Sequence, residues 1–170
     1  MDPRFSSVLR LYDTALGGMD ATVTQLHPRN DPARWSTQQV VEHLLLTYRS
    51  TSNSLQERLA KGRTTQAPAT LFHRMTQILV LRVGWYPPGM KAPPPVCPGK
   101  TPVTLSGSAL SVSMRQELEA MDQLLDDCTH AFGLRRIASH FALGPMTVEQ
   151  WRCFHVFHSR HHLRHLVNIK

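Results

Sequence analysis

The segment FHVFHSRHHLRH, residues 154–165, holds five of the chain's ten histidines. Imidazole can carry a proton, satisfy a hydrogen bond or ligate a metal, so the question is which of these the cluster serves. Successive residues of a helix turn by about 100°, which sets His158 and His162 about 40° apart on one face. Trp151, Phe154, Leu166 and Ile169 share that face, so the pair is expected to look inward. His155 and His165 fall on its flanks and His161 on the other flank. No carboxylate follows Glu149 in this stretch. Buried neutral imidazoles without an acid partner need another use for their donors and lone pairs.

His43 is the candidate third member. It stands at the edge of an apolar stripe made by Val41, Leu44, Tyr48, Leu55 and Leu59, with Gln39, Thr47, Ser50 and Ser54 near its own line. A small polar flank of that kind suits a cavity wall. Two histidines at i, i+4 on one helix and a third from another helix are the donor set of open zinc-type sites. Such a set adds no negative charge, so a divalent cation keeps its charge available for hydroxide, thiolate or carboxylate. Imidazole suits zinc, nickel, iron and copper alike, so the donor set leaves the identity of the ion open. The competing reading is a set of core histidines bonded to backbone or water.

The remaining residues divide more finely. His155 reads as a further ligand or as a donor that orients one. His161 and His165 read as flanking residues that support the ligands, with Gln39, Thr47 and Ser50 as polar lining. His140 reads as a loop hydrogen-bonder that could also line the site, and His27, His73 and His130 read as surface residues. Cys153 lies about 140° around the helix from His158 and is a poor ligand. Cys97 could reach the site only if the proline-rich segment around it folds over the mouth. HSRHH lacks the glutamate of HExxH, which argues against protease chemistry.

The elements that must position these residues are helices. Phe5, Val8, Leu9, Tyr12, Leu16 and Met19 recur at three- and four-residue intervals, predicting a first helix that ends near Gly17 and Gly18. Ser36 and Gln39 form a capping box that opens a second helix running to about Lys61. A third covers Thr70 to about Val83 before Gly84. Seven prolines between Pro87 and Pro102 then predict an extended strap or lid. The period resumes around Ser111 and stops at Gly133. Thr147 and Gln150 cap a last helix that runs toward Asn168. With no strand alternation and no repeat, the expectation is an all-α fold: a single domain over 1–170, an antiparallel bundle of four main helices with an additional short helix and the proline-rich strap.

Composition bounds the rest. The formal charge is +7 and the pI about 9.9, but the basic residues are scattered, only Arg135 and Arg136 adjoin, and no aromatic-interleaved basic stripe exists. Nucleic acid is therefore a disfavoured partner. Three cysteines at no zinc-ribbon or CxxC spacing argue for reduced thiols and a cytoplasmic setting. No apolar run approaches the roughly 18 residues of a membrane span. Val156, Leu163 and Val167 lie opposite His158 and need cover, which predicts a homodimer, with the proline strap or the shorter helix as the other source of cover.

The stretch WSTQQVVEHL, ending at His43-Leu44, is similar to the first histidine motif of the DinB superfamily. HSRHHLRH, from His158 to His165, resembles its terminal HxxxH motif, and GPMTVEQWRCFH, from Gly144 to His155, resembles a branch with GPx[ST]xxxW before the paired histidines. The resemblance covers nearly the full length. It implies an up-down-down-up four-helix bundle, often dimeric, with one divalent metal held by His43, His158 and His162. Some members of that superfamily transfer low-molecular-weight thiols such as bacillithiol or mycothiol to electrophiles, and others are assigned as hydrolases, so the expected partner is a small-molecule substrate. Here Leu163, Arg164 and His165 stand where the common form has Arg, Gly and Gln. The expected function is thus metal-assisted attack of a thiol or water on an electrophile. The alternative is a non-catalytic, stress-related module that binds metal or ligand.

Overall fold

The computed structural model describes residues 1–29, 31–86, 91–99 and 103–167, with the Val167 side chain, Asn168 and Ile169 outside the described set. Helix α1 is Pro3–Leu16, with Pro3 in its first turn and the Asp2 carboxylate accepting from the Arg4 N–H at 2.8 Å. Helix α2, Thr37–Ala60, opens on the expected capping box: Ser36 Oγ accepts from Gln39 N, and Gln39 Oε1 accepts from Ser36 N at 3.0 Å. Helix α4, Gly107–Phe132, starts four residues before the predicted point because Ser106 caps it. Helix α5, Val148–Val167, carries the reciprocal Thr147–Gln150 box.

The third helix is shorter than the period predicts. Helix α3 covers Leu71–Ile78 and gives way to a π-helical turn over Leu79–Val83, closed by Gly84 in the left-handed region at φ 67°. The expectation of a strand-free chain is also corrected. Strands β1, Ala138–His140, and β2, Gly144–Met146, pair antiparallel with Ala138 opposite Met146 and His140 opposite Gly144. Three-residue strands are too short to display an alternating pattern. Gly144 allows the hairpin to sit here, since it adopts φ 66° and a Cβ on it would lie 2.3 Å from the His73 ring. His73 is a half-buried residue at the surface, and its Nδ1 accepts from the Thr70 N–H to complete the α3 cap.

Helix α2 packs along α4, α1 packs on α4 and α5, and α5 also meets α2 and α4. Between them lies an apolar core in which Leu44, Leu55, Leu118, Met121 and Leu125 are wholly buried. Burying each such side chain contributes roughly 1.5–3 kcal/mol, enough to hold polar groups in a fixed frame. Two core tyrosines register α5: Tyr12 Oη donates to the Ser159 carbonyl at 2.8 Å, and Tyr48 Oη meets Ser159 Oγ at 2.7 Å. The proline-rich strap does not simply cross the surface. Residues 94–96 form a short 3-10 turn that packs on α2, while Pro87, Pro88 and Pro102 lie outside the described residues. Among the described residues no helix is long and apolar enough to cross a membrane.

Candidate metal centre

Helix α2 brings His43, and α5 brings His158 and His162 one turn apart, so the three rings meet where those helices face each other. His158 Nε2 lies 3.3 Å from His43 Nε2 and 3.1 Å from His162 Nε2. One ligating atom from each of the three lies within 4.8 Å of the others. A tetrahedral ion with metal–nitrogen bonds near 2.0–2.1 Å spaces its ligands about 3.3–3.4 Å apart, so the two short edges, at 3.3 and 3.1 Å, come within about 0.3 Å of what such an ion imposes. The trio could hold a divalent ion with little rearrangement.

The protonation pattern points the same way. A carbonyl can only accept, so the 2.7 Å contact between His43 Nδ1 and the Val96 oxygen places the proton on Nδ1 and leaves the Nε2 lone pair facing the other rings. Burial pushes His43 below the usual imidazole range, against the opposing pull of the Val96 carbonyl. His158 and His162 are pushed further down, by burial first and then by each other or by His43. All three are thus neutral at neutral pH, the state in which imidazole ligates. His158 Nε2, placed against two other ring nitrogens, can donate to only one of them at a time. A cation between them resolves that crowding of lone pairs.

Aromatic rings wall the trio. Phe154 stacks on His158 with centroids 5.2 Å apart, Trp35 lies 5.0 Å from His43, and Tyr86 lies 5.9 Å from His158. They border a cavity of about 1050 Å³ that also reaches the strap at Val96 and Cys97. Neither the role of Tyr86 nor that of Val96 is visible in the sequence, where both sit in a proline-rich run without period. Trp35 reads there only as packing at a helix entry.

The other sequence candidates separate clearly. Thr47 lines the cavity and donates its hydroxyl to the His43 carbonyl at 2.8 Å. His140, His161 and His165 line it too. His140 Nδ1 accepts from the N–H groups of Ala142 and Leu143, both at 3.2 Å, and burial holds its pKa down at about 4. The His161 ring lies 4.7 Å from Tyr86, and His165 Nδ1 accepts from the Arg34 guanidinium. His155 is fully buried beside Trp151 with its Nε2 on Thr51 Oγ1 at 3.1 Å, and it stands outside the converging trio. Gln39 spends its side-chain oxygen on the α2 cap, and Ser50 is exposed; neither is among the residues lining the cavity. His27 and His130 are exposed. All three cysteines are free, and Cys97 is exposed at the cavity.

No curated protein and no solved structure matches the chain. The family model of the DinB superfamily matches residues 4–166, and with the histidines of α2 and α5 gathered as described, the chain belongs to the DinB superfamily.

Proposed function

We propose that the protein holds one divalent ion, zinc or nickel, on His43, His158 and His162 and uses it to promote attack by a low-molecular-weight thiol or by water on an electrophilic small molecule, as a thiol S-transferase or hydrolase does. The observation that carries this reading is the convergence of three neutral Nε2 atoms at the wall of a large cavity, with no carboxylate in the group. When bound, the ion supplies Lewis acidity that brings deprotonation of water or a thiol toward neutral pH. The chain's residues do the rest. Val96 and Thr47 fix the His43 ring and its backbone, Phe154 and Trp35 wall the trio on two sides, and the cavity seats the substrate. Among the described residues no carboxylate joins the trio, so the ion is the source of the nucleophile, and turnover should vanish on chelation and return with added ion. A screen of thiols and electrophiles that found no metal-dependent rate would leave a non-catalytic binding module as the better reading.

For the fold and assembly we infer an up-down-down-up four-helix bundle of α1, α2, α4 and α5, working in the cytoplasm as a homodimer. The α5 face that prompts a dimer in the sequence is not the free one, since Val156 is buried in the core and Leu163 packs against it. The better surface is α3 with its π turn. Leu71, Phe72, Met75, Ile78 and Val83 are each more than half exposed and gather on the α3 segment, an apolar stripe that a second copy could cover as part of a larger interface. Sedimentation that gave the monomer mass at high concentration, or a Phe72→Asp variant that stayed dimeric, would reject this interface.

A further inference from the structure

One histidine outside the trio carries a hydrogen-bond donor that the fold leaves unused. We infer that His140 is a substrate-positioning residue, whose Nε2–H donates to a carbonyl-type oxygen on an otherwise apolar molecule bound in the cavity. The inference rests on reading this cavity as the substrate site, and it adds what the electrophile must present.

The tautomer follows from the backbone. Strand β1 ends at His140, and the chain returns through Phe141, Ala142 and Leu143 to β2. In that turn the N–H groups of Ala142 and Leu143 both donate to His140 Nδ1, each at 3.2 Å. A nitrogen that accepts from two N–H groups carries no proton, so the neutral ring bears its proton on Nε2. Burial, which holds the group at about 4, keeps the ring in that neutral form at neutral pH. His140 therefore offers a fixed N–H and no charge.

The position of that donor points to a ligand. His140 lines the same cavity as the trio. Its Nε2 meets no acceptor among the described residues, yet it is not sealed from solvent as the unpaired Nδ1 atoms of His155 and His158 are. The open side of the ring is thus the cavity it lines. A water bound at Nε2 needs further polar partners, whereas Phe141, Leu143 and Phe154 bring apolar side chains to this part of the lining. An oxygen on an apolar molecule satisfies the donor and covers that wall at once. The His140 ring lies 4.7 Å from Phe154, which stacks on His158 at 5.2 Å, so only the width of one ring separates this donor from the trio.

The test is calorimetric binding of acetophenone and of isopropenylbenzene, which has the same skeleton with a methylene in place of the oxygen, to the full chain with zinc added and again after chelation. His140→Asn keeps an acceptor for the Ala142 and Leu143 N–H groups but is too short to replace Nε2. It should weaken acetophenone by about three- to tenfold and leave isopropenylbenzene within about twofold. Two-bond nitrogen–proton NMR of the parent supplies a readout that does not depend on the variant folding: acetophenone, and not isopropenylbenzene, should shift the His140 Nε2 resonance. Binding of neither probe, an equal effect of the variant on both, or an Nε2 resonance unmoved by acetophenone overturns the inference. A chain that carries no ion yet shows the expected pattern upholds the inference and overturns the metal reading, and an ion-bearing chain without that pattern does the reverse.

Discussion

The carbonyl oxygen of Val96, in the proline strap, accepts a hydrogen bond from Nδ1 of His43 on α2 at 2.7 Å. One backbone atom thereby fixes the tautomer and orientation of a ring whose other nitrogen faces His158. Outer contacts of this type typically carry 10- to 100-fold in metal affinity. Replacing residues 93–97 with a Gly-Ser linker should therefore weaken zinc binding by about that factor in a chelator competition titration, with helical content unchanged. Unaltered affinity would show that the strap does not orient the ring.

Buried neutral histidines predict acid sensitivity. Burial holds His140 at about 4 and His155 at about 3, while both return to about 6.5 on unfolding. Between these values the unfolded chain binds more protons than the folded one, so stability is full above about pH 6.5 and falls as pH drops toward 4. His140 alone accounts for a loss on the order of 3 kcal/mol across that window. Urea unfolding at several pH values, with chelator present so that metal release plays no part, reads the slope. His140→Asn, which keeps an acceptor for the two N–H groups, should flatten it, and an identical slope would count against the assignment.

The N-terminal clamp predicts a cost remote from the cavity. Asp122 is almost wholly buried on α4, where it accepts from Arg152 Nε at 3.0 Å and from the Asp2 backbone N–H at 2.6 Å. Asp122→Ala leaves both donors without that partner and should destabilise the fold by about 2–3 kcal/mol in urea. Metal affinity should stay unchanged, because Arg152 and Asp2 lie outside the cavity lining.

Much of this architecture is legible in the sequence where the signal is local. The Ser36–Gln39 and Thr147–Gln150 boxes each span four residues, and the i, i+4 spacing of His158 and His162 is a covalent fact that any helix turns into a shared face. The meeting with His43 is readable only through the resemblance of WSTQQVVEHL and HSRHHLRH to the DinB histidine motifs, since the apolar stripes alone leave several helix pairings open. What depends on tertiary approach is not readable. Tyr86 and Val96 belong to a run whose prolines impose no period, and nothing local says that it returns to α2. Ser50 shares a helix line with His43 yet lies two turns on, exposed and outside the cavity. Gln39 shows the opposite competition, since its amide serves as lining or cap but not both.

The α3 hairpin contact gives a further check on packing. Gly144→Ala forces a Cβ against the His73 ring and strains a left-handed backbone, so it should destabilise the protein by more than 1 kcal/mol, roughly the cost of an ordinary Gly-to-Ala change at positive φ. Thermal unfolding that showed no decrease would contradict the β1–β2 placement against α3.

The central claim is that His43, His158 and His162 form one metal site. Elemental analysis of protein purified without metal-chelating steps, beside a His162→Ala variant whose circular dichroism matches the parent, tests it most directly. The account predicts about one divalent ion per parent chain and an empty variant, because two imidazoles cannot hold the ion through purification. A parent that binds no ion even after incubation with zinc or nickel, or a folded His162→Ala variant at full occupancy, would contradict it.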